Sequence, residues 1–251
     1  MTYREHPVPA PWRPLVECLW TSAAPSAPEV VDVLPDGCMD LVWSGTELFV
    51  AGPDTAPNPY TRSAGLAATG LRFRPGVLPA LLDTPAAVLR DARVPLEALH
   101  GPLARPAVAA LVGGAEPAAV LTALAARLPG DAPEPGMRAA AARLSRGASA
   151  ADTAEALGWT TRTLHRRCLA AFGYGPATLR RILRFRRALA LLGSGVPPAE
   201  TAARAGYSDQ PHLSREVRAL AGTAPAQLVR TQLARPANRS TPVPSGSCTV
   251  A

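Results

Sequence analysis

Lysine is absent from this chain of 251 residues, and aromatic residues are scarce. All 26 basic residues are arginine, and only 5% of the residues are Phe, Trp or Tyr, although 47% are hydrophobic. Alanine, leucine and valine must therefore build most of any core. The length suits one large domain or two ordinary ones.

Cysteine and histidine are also few, and their spacing excludes several classes of protein. The four cysteines form no C-x-x-C pair, and no histidine lies close to any of them in the sequence. This pattern excludes the usual zinc fingers and disulfide frameworks, so we expect reduced thiols, no metal and no cofactor. The cysteines are Cys18, Cys38, Cys168 and Cys248.

Long apolar runs are missing as well. No stretch of 18 apolar residues occurs, and the first residues contain Glu5 and several prolines rather than the apolar core of a signal peptide. These absences predict a cytoplasmic protein that does not span a membrane.

The formal net charge of +7 is divided unevenly along the chain. Residues 1–136 carry 9 Arg against 14 acidic residues, a net charge of −5. Residues 137–251 carry 17 Arg against 5 acidic residues, a net charge of +12. The second half is therefore expected to attract polyanions, whereas the first is not.

The basic half contains one pattern twice. A-D-T-A-E-A-L-G-W-T-T-R-T-L-H-R begins at Ala151, and A-E-T-A-A-R-A-G-Y-S-D-Q-P-H-L-S-R begins at Ala199. Each copy predicts a short helix, a turn at Gly158 or Gly206, and a second helix with basic and amide side chains. This arrangement is typical of a helix-turn-helix unit.

Capping residues and side-chain spacing define the second helix of each unit. Ser149 and Asp152 have the spacing of a capping box, and Thr160 and Ser208 can cap the second helices. Arginine can bond both guanine O6 and N7, and glutamine matches adenine N7 and N6. The predicted inward residues are Leu164, Cys168, Phe172, Leu213, Val217 and Leu220. The predicted outward residues include Arg162, His165, Arg166, Gln210 and Arg215, with His212 at the edge.

The acidic half predicts short strands followed by helices. Apolar runs on both sides of Pro35-Asp36-Gly37 predict a hairpin over residues 30–43. Further strands are predicted at 48–51 and 66–73, and the apolar patch at 15–20 predicts a capping segment or short helix. A helical period begins at Val77.

These patterns predict an α+β fold in two parts. Residues 1–128 form a small β-barrel or sandwich with flanking helices, and the P-G-D-A-P-E-P-G stretch at 129–136 is a linker. Residues 137–235 form an all-helical domain of two helix-turn-helix units, joined by a long helix from Pro176 to about Leu192. Residues 236–251 form a disordered tail.

Residues 137–233 resemble the DNA-binding domain of AraC/XylS-type transcriptional regulators. A-G-Y-S-D-Q-P-H-L-S-R is similar to the family's second-unit signature, R-R-I-L-R-F-R-R-A-L-A-L-L to its linker helix, and T-A-P-A-Q-L to its closing motif. The resemblance implies a transcription factor that binds double-stranded DNA as a monomer or homodimer, with RNA polymerase as a further partner. By position, the family's base contacts fall on Arg162, His165, Arg166, Gln210, Pro211, His212 and Arg215.

The chain departs from the family pattern in its core and at one contact. Cys168, Leu213 and Val217 stand where the family usually has phenylalanine, so a smaller core is expected there. Pro211 has no side-chain donor to offer a base.

The N-terminal half resembles the effector half of such regulators through L-P-D-G-C-M-D-L and R-F-R-P-G. The family's sensor halves are often cupin-like barrels, which agrees with the predicted strands. Only His6 and His100 precede the linker, too few for a metal-dependent cupin enzyme. The candidates for lining a small-molecule effector pocket are Asp40, Trp43, Arg72 and Arg74. The alternative places Trp43 in the core and the charges on solvated strand faces.

Three functional interpretations follow from the sequence. The first is a non-enzymatic, sequence-specific DNA-binding transcriptional regulator that responds to a small-molecule effector. The second is a DNA-repair or cysteine-transfer enzyme fused to a helix-turn-helix domain, with Cys38 as nucleophile. The third is a constitutive DNA binder that has lost its ligand.

Overall fold

The computed structural model describes residues 3–230, which form eight strands and ten α-helices. The strands are β1 Tyr3–His6, β2 Val16–Ser22, β3 Glu29–Val33, β4 Met39–Trp43, β5 Leu48–Ala51, β6 Asn58–Arg62, β7 Ala68–Phe73 and β8 Arg93–Pro95. The helices are α1 Val77–Leu81, α2 Leu96–Val112, α3 Pro117–Ala125, α4 Pro135–Ser145, α5 Ala150–Ala156, α6 Thr161–Phe172, α7 Pro176–Gly193, α8 Pro198–Ala205, α9 Gln210–Ala221 and α10 Pro225–Leu228. The predicted tail at 236–251, Cys248 and residues 231–235 lie outside the described residues.

The strands form two antiparallel sheets. Six of them pair in the order β1-β2-β7-β4-β5-β8, and β3 pairs with β6. Phe49 of β5 meets Tyr60 of β6 with ring centroids 6.0 Å apart, so the small sheet lies over one face of the large one. The predicted α+β fold with an N-terminal sandwich is confirmed.

The two faces of the six-stranded sheet differ in chemistry because side chains alternate along each strand. One face packs Leu41, Leu71 and Phe73 against α1, α2 and α3, and forms the N-terminal core. We call the opposite face, which is turned toward β3 and β6, the inner face. Register and alternation place on it Tyr3, Glu5, Cys18, Trp20, Ser22, Asp40 and Arg72.

Two predictions about the N-terminal half are wrong. Residues 30–43 do not form a hairpin, because β5 and β7 occupy both edges of β4 and β3 pairs with β6 instead. Val30 is 65% exposed, so β3 is less buried than the central strands of the six-stranded sheet. The patch at 15–20 is not a helix but part of β2, since pairing with β1 and β7 outweighs its local pattern.

The predicted helices of the second half are confirmed, and they enclose a core of their own. The long helix α7 ends at Gly193, one residue beyond the predicted end. Helix α4 begins at Pro135, inside the segment predicted as linker. None of the helices among residues 3–230 has the length and apolar character needed to cross a membrane.

Candidate functional site

The first helix-turn-helix unit consists of α5, a tight turn and α6. Ser149 caps α5 in a capping box, and its Oγ accepts from the N–H of Asp152 at 3.1 Å. Gly158 in the turn has φ +67°, a left-handed conformation that glycine adopts readily. Thr160 caps α6 and its Oγ1 accepts from the N–H of Thr163 at 3.1 Å. The predicted caps of this unit are confirmed.

Helix α6 buries one side and exposes the other. Leu164, Cys168 and Phe172 are at most 1% exposed, so the cysteine fills its core position despite being smaller than phenylalanine. Three predicted base-contact residues share the accessible side, at spacings of three and four residues. These exposed residues are Arg162, His165 and Arg166.

The second unit consists of α8, a turn at Gly206 and α9. Asp209, rather than the predicted Ser208, caps α9, and its carboxylate accepts from the N–H of His212 at 2.6 Å. Asp209 directly precedes the first helical residue, whereas Ser208 lies one residue too early. Ser208 instead places its Oγ 3.1 Å from Nδ1 of the His212 ring.

The predicted contact residues of the second unit are not equally accessible. Gln210 and Pro211 are exposed at the start of α9, and Arg215 is exposed near its middle. His212 is half-buried, and its ring stands edge-on to Tyr207 with centroids 5.1 Å apart. The inward positions of α9 are fully or almost fully buried at Leu213, Val217 and Leu220.

An arginine covers the aromatic residue that follows each turn glycine. Arg167 of α6 lies 4.3 Å from the Trp159 ring centroid, and Arg184 of α7 lies 4.4 Å from that of Tyr207. Arg184 also approaches Glu216 of α9 at 3.7 Å. The sequence did not predict these contacts. The arginine that covers Tyr207 comes from α7, outside the second unit. They fix each turn against a helix.

Asp40 and Arg72, two of the four predicted effector residues, meet on the inner face. Oδ1 of Asp40 accepts from Nε of Arg72 at 3.4 Å, and Oδ2 accepts from Nε1 of Trp20 at 2.9 Å. Glu5 and Asp36 approach the same guanidinium at 3.5 and 3.6 Å. The sequence did not predict these three neighbours, although alternation along β2 places Trp20 on the face opposite Leu19.

The other two predicted effector residues lie elsewhere. Trp43 is 6% exposed and belongs to the core beneath the large sheet, on the opposite face from Asp40. The side chain of Arg74 donates from Nε to the carbonyl of Arg13 at 2.9 Å at the surface. Both placements agree with the alternative of a core tryptophan and a solvated charge.

Burial controls protonation near Arg72. It raises the pKa of Asp40 despite the opposing effects of Arg72 and Trp20. Burial, followed by the charge of Asp36, raises the pKa of Cys38 well above its ordinary value. The Cys38 thiol donates to Oε2 of Glu17 at 3.1 Å. Burial, the raised pKa and the hydrogen bond to Glu17 all favour the protonated thiol, which is the opposite of what activates a cysteine nucleophile.

One arginine of α7 enters the N-terminal half. The guanidinium of Arg186 pairs with Glu17 and lies 3.5 Å from Sγ of Cys38. The Arg186 and Glu17 side chains are 13% and 8% exposed. Breaking such a buried pair leaves an uncompensated charge, so the contact holds α7 against the sandwich.

A loop of the N-terminal half lies beside the C-terminal ends of the second helices of both units. We call residues 52–57 the bridging loop. A Cβ atom on Gly173 would lie 2.7 Å from Cγ of Pro53, and one on Gly222 would lie 3.7 Å from Cγ of Pro57. Arg90 also donates from Nη1 to the carbonyl of Gly173 at 3.2 Å. The first unit is thus in contact with the N-terminal half, and the end of the second unit lies close to it.

The histidines of the N-terminal half have partners other than metals. Nε2 of His6 lies 3.0 Å from Oγ1 of Thr21, and Nε2 of His100 lies 2.9 Å from the carbonyl of Leu82. Within residues 3–230, no group of three or more His, Cys, Asp or Glu side chains could hold a metal ion.

Comparison with protein families agrees with this geometry. Residues 138–231 match the family described as a helix-turn-helix domain, and this part of the chain is therefore a DNA-binding domain. The two tandem units of this domain are arranged as in a helix-turn-helix domain of the AraC type. Residues 4–95 match the family named Domain of unknown function (DUF6597).

Crystal structures of ToxT from Vibrio cholerae are similar to this chain at low sequence identity. An apo variant gives a TM-score of 0.48 at 10% identity and covers 84% of this chain and 97% of its own. A second ToxT structure gives 0.45 at 10% identity, with 92% and 98% covered. No curated protein matches the sequence.

Proposed function

We propose that this chain is a sequence-specific transcriptional regulator whose DNA affinity responds to a small-molecule effector. One observation carries the DNA-reading part of the proposal. The second helices of two tandem units, α6 and α9, each expose polar side chains at their N-terminal ends, within the half of net charge +12. Such helices read base edges in the major groove.

The proposed base-reading residues differ in what they can do. Arg162 and Arg166 are suited to guanine, and Gln210 to adenine. Arg215 supplies a positive charge in the second unit. The His165 ring can donate or accept a hydrogen bond. Pro211 supplies only apolar contact, and His212 supports the turn through Tyr207 and Ser208. The proposed DNA-binding residues remain Arg162, His165, Arg166, Gln210, Pro211, His212 and Arg215.

The domain assignment is part of the proposal. Residues 137–235 bind DNA, residues 1–128 sense the effector, and residues between them act as a short connection. The inner face around Asp40 and Arg72 is the proposed effector site, because partly exposed charges converge there beside an aromatic side chain. The Glu17–Arg186 pair and the bridging loop are routes by which that site can act on the units.

The enzyme alternative receives no support from Cys38. The thiol is buried, its pKa is raised, and its nearest partners are a carboxylate that accepts its proton and a guanidinium. A nucleophilic cysteine needs the opposite, a lowered pKa and access to substrate.

Selection from a pool of random duplexes tests the proposal with the full chain. We expect an enriched asymmetric sequence with two contacted patches, and an affinity that falls steeply as salt rises, since arginine–phosphate contacts release counterions. The double variant Arg166→Ala, Arg215→Ala is expected to lose the enrichment but keep salt-dependent binding. An unenriched pool, or enrichment that both substitutions leave intact, contradicts the proposal.

A further inference from the structure

The ring of His165 packs against a glycine at the start of α7. A Cβ atom on Gly175 would lie 2.8 Å from Nε2 and 2.9 Å from Cδ2 of that ring. Beyond the chain neighbours of the glycine, no other atom of residues 3–230 comes closer than 3.8 Å to this Cβ position. His165 is exposed on the accessible side of α6, so the glycine holds one edge of a ring that otherwise faces solvent.

The backbone at residue 175 does not require glycine. Gly175 has φ −70° and ψ 167°, an extended conformation that any L residue adopts. Its carbonyl accepts from the N–H of Leu179 at 3.0 Å, and an alanine carbonyl can do the same. The space left by the missing side chain is therefore occupied by the His165 ring.

The two helix-turn-helix units end in the same way. F-G-Y-G-P-A-T-L begins at Phe172, and A-G-T-A-P-A-Q-L begins at Ala221, 49 residues later. In both segments a proline begins the next helix, α7 or α10. Ala224 stands where the first unit has Gly175, and its φ of −74° and ψ of 150° are similar. The second unit therefore accommodates a Cβ atom at this place.

The outward residue differs together with this position. At the same offset of 49 residues, Ser214 of α9 corresponds to His165 of α6. A serine side chain ends at the atom bonded to Cβ, whereas the imidazole ring extends as far as residue 175. The unit with the short outward residue has alanine at the helix start, and the unit with the ring has glycine.

Packing of the ring has a consequence for reading bases. A mobile side chain loses rotamer freedom when it contacts a ligand, and a side chain that is already packed loses less. Alanine at residue 175 would place its Cβ atom against Nε2 and Cδ2 of His165, and the ring would have to move to another rotamer. Its donor and acceptor nitrogens would then reach different atoms of a base edge.

We propose that Gly175 is a specificity-determining residue of the first unit, because the room it leaves fixes the direction in which the His165 ring meets a base. The inference rests on the proposed DNA-reading function. Gly175 acts through His165 and is therefore a positioning residue.

A double-mutant cycle on the full chain tests this role. Gly175→Ala is expected to lower discrimination about fivefold at one base pair of the selected site, the pair that His165→Ala also affects. In a chain that already carries His165→Ala, adding Gly175→Ala should change nothing further, because no ring remains to be displaced. Unchanged preference in Gly175→Ala, or an equal loss of affinity on all duplexes with and without the ring, overturns the proposal.

Two further variants separate the ring contact from general effects on folding. Ala224→Gly makes the reverse change in the second unit, where the outward residue is short, and should leave base preference unchanged. The pair His165→Ser, Gly175→Ala reproduces the residues of the second unit. If Gly175→Ala alone does not fold, this pair should restore the melting temperature of the natural chain. A pair that stays unfolded contradicts a steric role for the ring.

The ring contact is also measured without DNA, by nuclear magnetic resonance of the imidazole groups. The chain has four histidines, so comparison with His165→Ala assigns the His165 resonances. Gly175→Ala is expected to shift these resonances and to leave those of His212 in place. Unshifted His165 resonances refute this inference even if the chain selects DNA. Shifted resonances in a chain that selects no sequence confirm the contact but refute the DNA-reading function, and with it the role of Gly175 in specificity.

Discussion

The two helix-turn-helix units have the same architecture, but their turns are stabilised by contacts with different parts of the chain. In the first, Arg167 of the unit's own second helix covers Trp159 and pairs with Glu134. In the second, Arg184 comes from α7, so the turn at Tyr207 is tied to the helix that joins the units. The turn of the second unit is therefore held by α7, whereas the turn of the first is held by the unit's own second helix together with Glu134, which directly precedes α4.

The difference extends to the N-terminal half. The end of α6 is in contact with that half through Gly76, which lies against Phe172, and through the Arg90–Gly173 hydrogen bond. The second unit approaches it at Gly222, where the spacing to Pro57 is looser. The first unit is thus placed to receive a change in the sandwich directly, and the second to receive it through α7.

The largest expected effect comes from changing the spacing of the DNA patches. Helix α7 has 18 residues and rises roughly 27 Å at about 1.5 Å per residue. Units held by it can enter major-groove segments only about one helical turn apart. Inserting about five base pairs between the patches should lower affinity on the order of 100-fold or more, since each lost base contact costs about 1–3 kcal/mol.

Titration of the selected duplex and its expanded forms by fluorescence anisotropy measures this effect. An insertion of about ten base pairs, a whole helical turn, controls for length. Unchanged affinity for the five-base-pair insertion would show that the second unit does not read bases or that α7 bends.

A substitution in each unit sharpens the comparison next. Arg166→Ala should cost roughly 1–3 kcal/mol on the selected site and relax preference at one base pair, because an exposed arginine fork is removed. Gln210→Ala should relax a position in the other patch by a similar or smaller amount. Arg146→Ala removes an exposed charge outside both units and is the control. Competition across single-base variants is the assay, and a control that shifts one position contradicts the assignment.

The pH dependence of stability tests the bridging loop, which lies beside the C-terminal ends of α6 and α9. Burial raises the pKa of Asp54 to about 6, against an ordinary 3.8. The folded state therefore binds a proton more tightly than the unfolded state, and stability should fall as pH rises from about 4 to about 6. Asp54→Asn should stabilise the chain at pH 7 by about 1–3 kcal/mol and have little effect at pH 4.

Urea unfolding midpoints across this pH range measure the difference. Asp32→Asn, on the exposed side of β3, is the control. The same gain from Asp54→Asn at pH 4 and pH 7 would show that its charge is not responsible.

The smallest effect compares the two arginine–aromatic contacts. Arg184→Ala should destabilise the chain by about 1–2 kcal/mol, and Arg167→Ala by about 0.5–1 kcal/mol, because the Tyr207 ring is the more buried of the two. Both are read from urea unfolding, with Arg187→Ala on the exposed side of α7 as control. Equal losses of stability in Arg184→Ala and Arg167→Ala would show that the two arginine–aromatic contacts do not differ in strength.

Local signals sufficed to predict the helical half. Its helices begin at capping residues or proline and end near glycine, so boundaries follow from neighbours in the sequence. The cap of α9 was misplaced by one residue because Ser208 and Asp209 are both good caps, and only geometry distinguishes them. The exposure of Arg162 and Arg166 followed from helical spacing, whereas the engagement of His212 depends on Tyr207.

The sandwich was harder to predict because its pairings are not local. Strand β2 contains Glu17 and Cys18 within an apolar patch, and its pairing with β7 joins residues far apart in the chain. The pairing of Asp40 with Arg72 follows from β4 lying beside β7. Nothing in the sequence near Asp40 indicates that neighbour, and of the four predicted effector residues only Asp40 and Arg72 lie together.

The Glu17–Arg186 pair also has a consequence for the operator. Coupling between two binding sites is reciprocal, so an effector that changes operator affinity by some factor has its own affinity changed by the same factor when the operator is bound. A duplex that moves α7 must alter the surroundings of Glu17, and through them the inner face. Under the regulation proposed above, the operator would be an allosteric ligand of the effector site, and the effector concentration that the protein detects would depend on the fraction of protein bound to DNA.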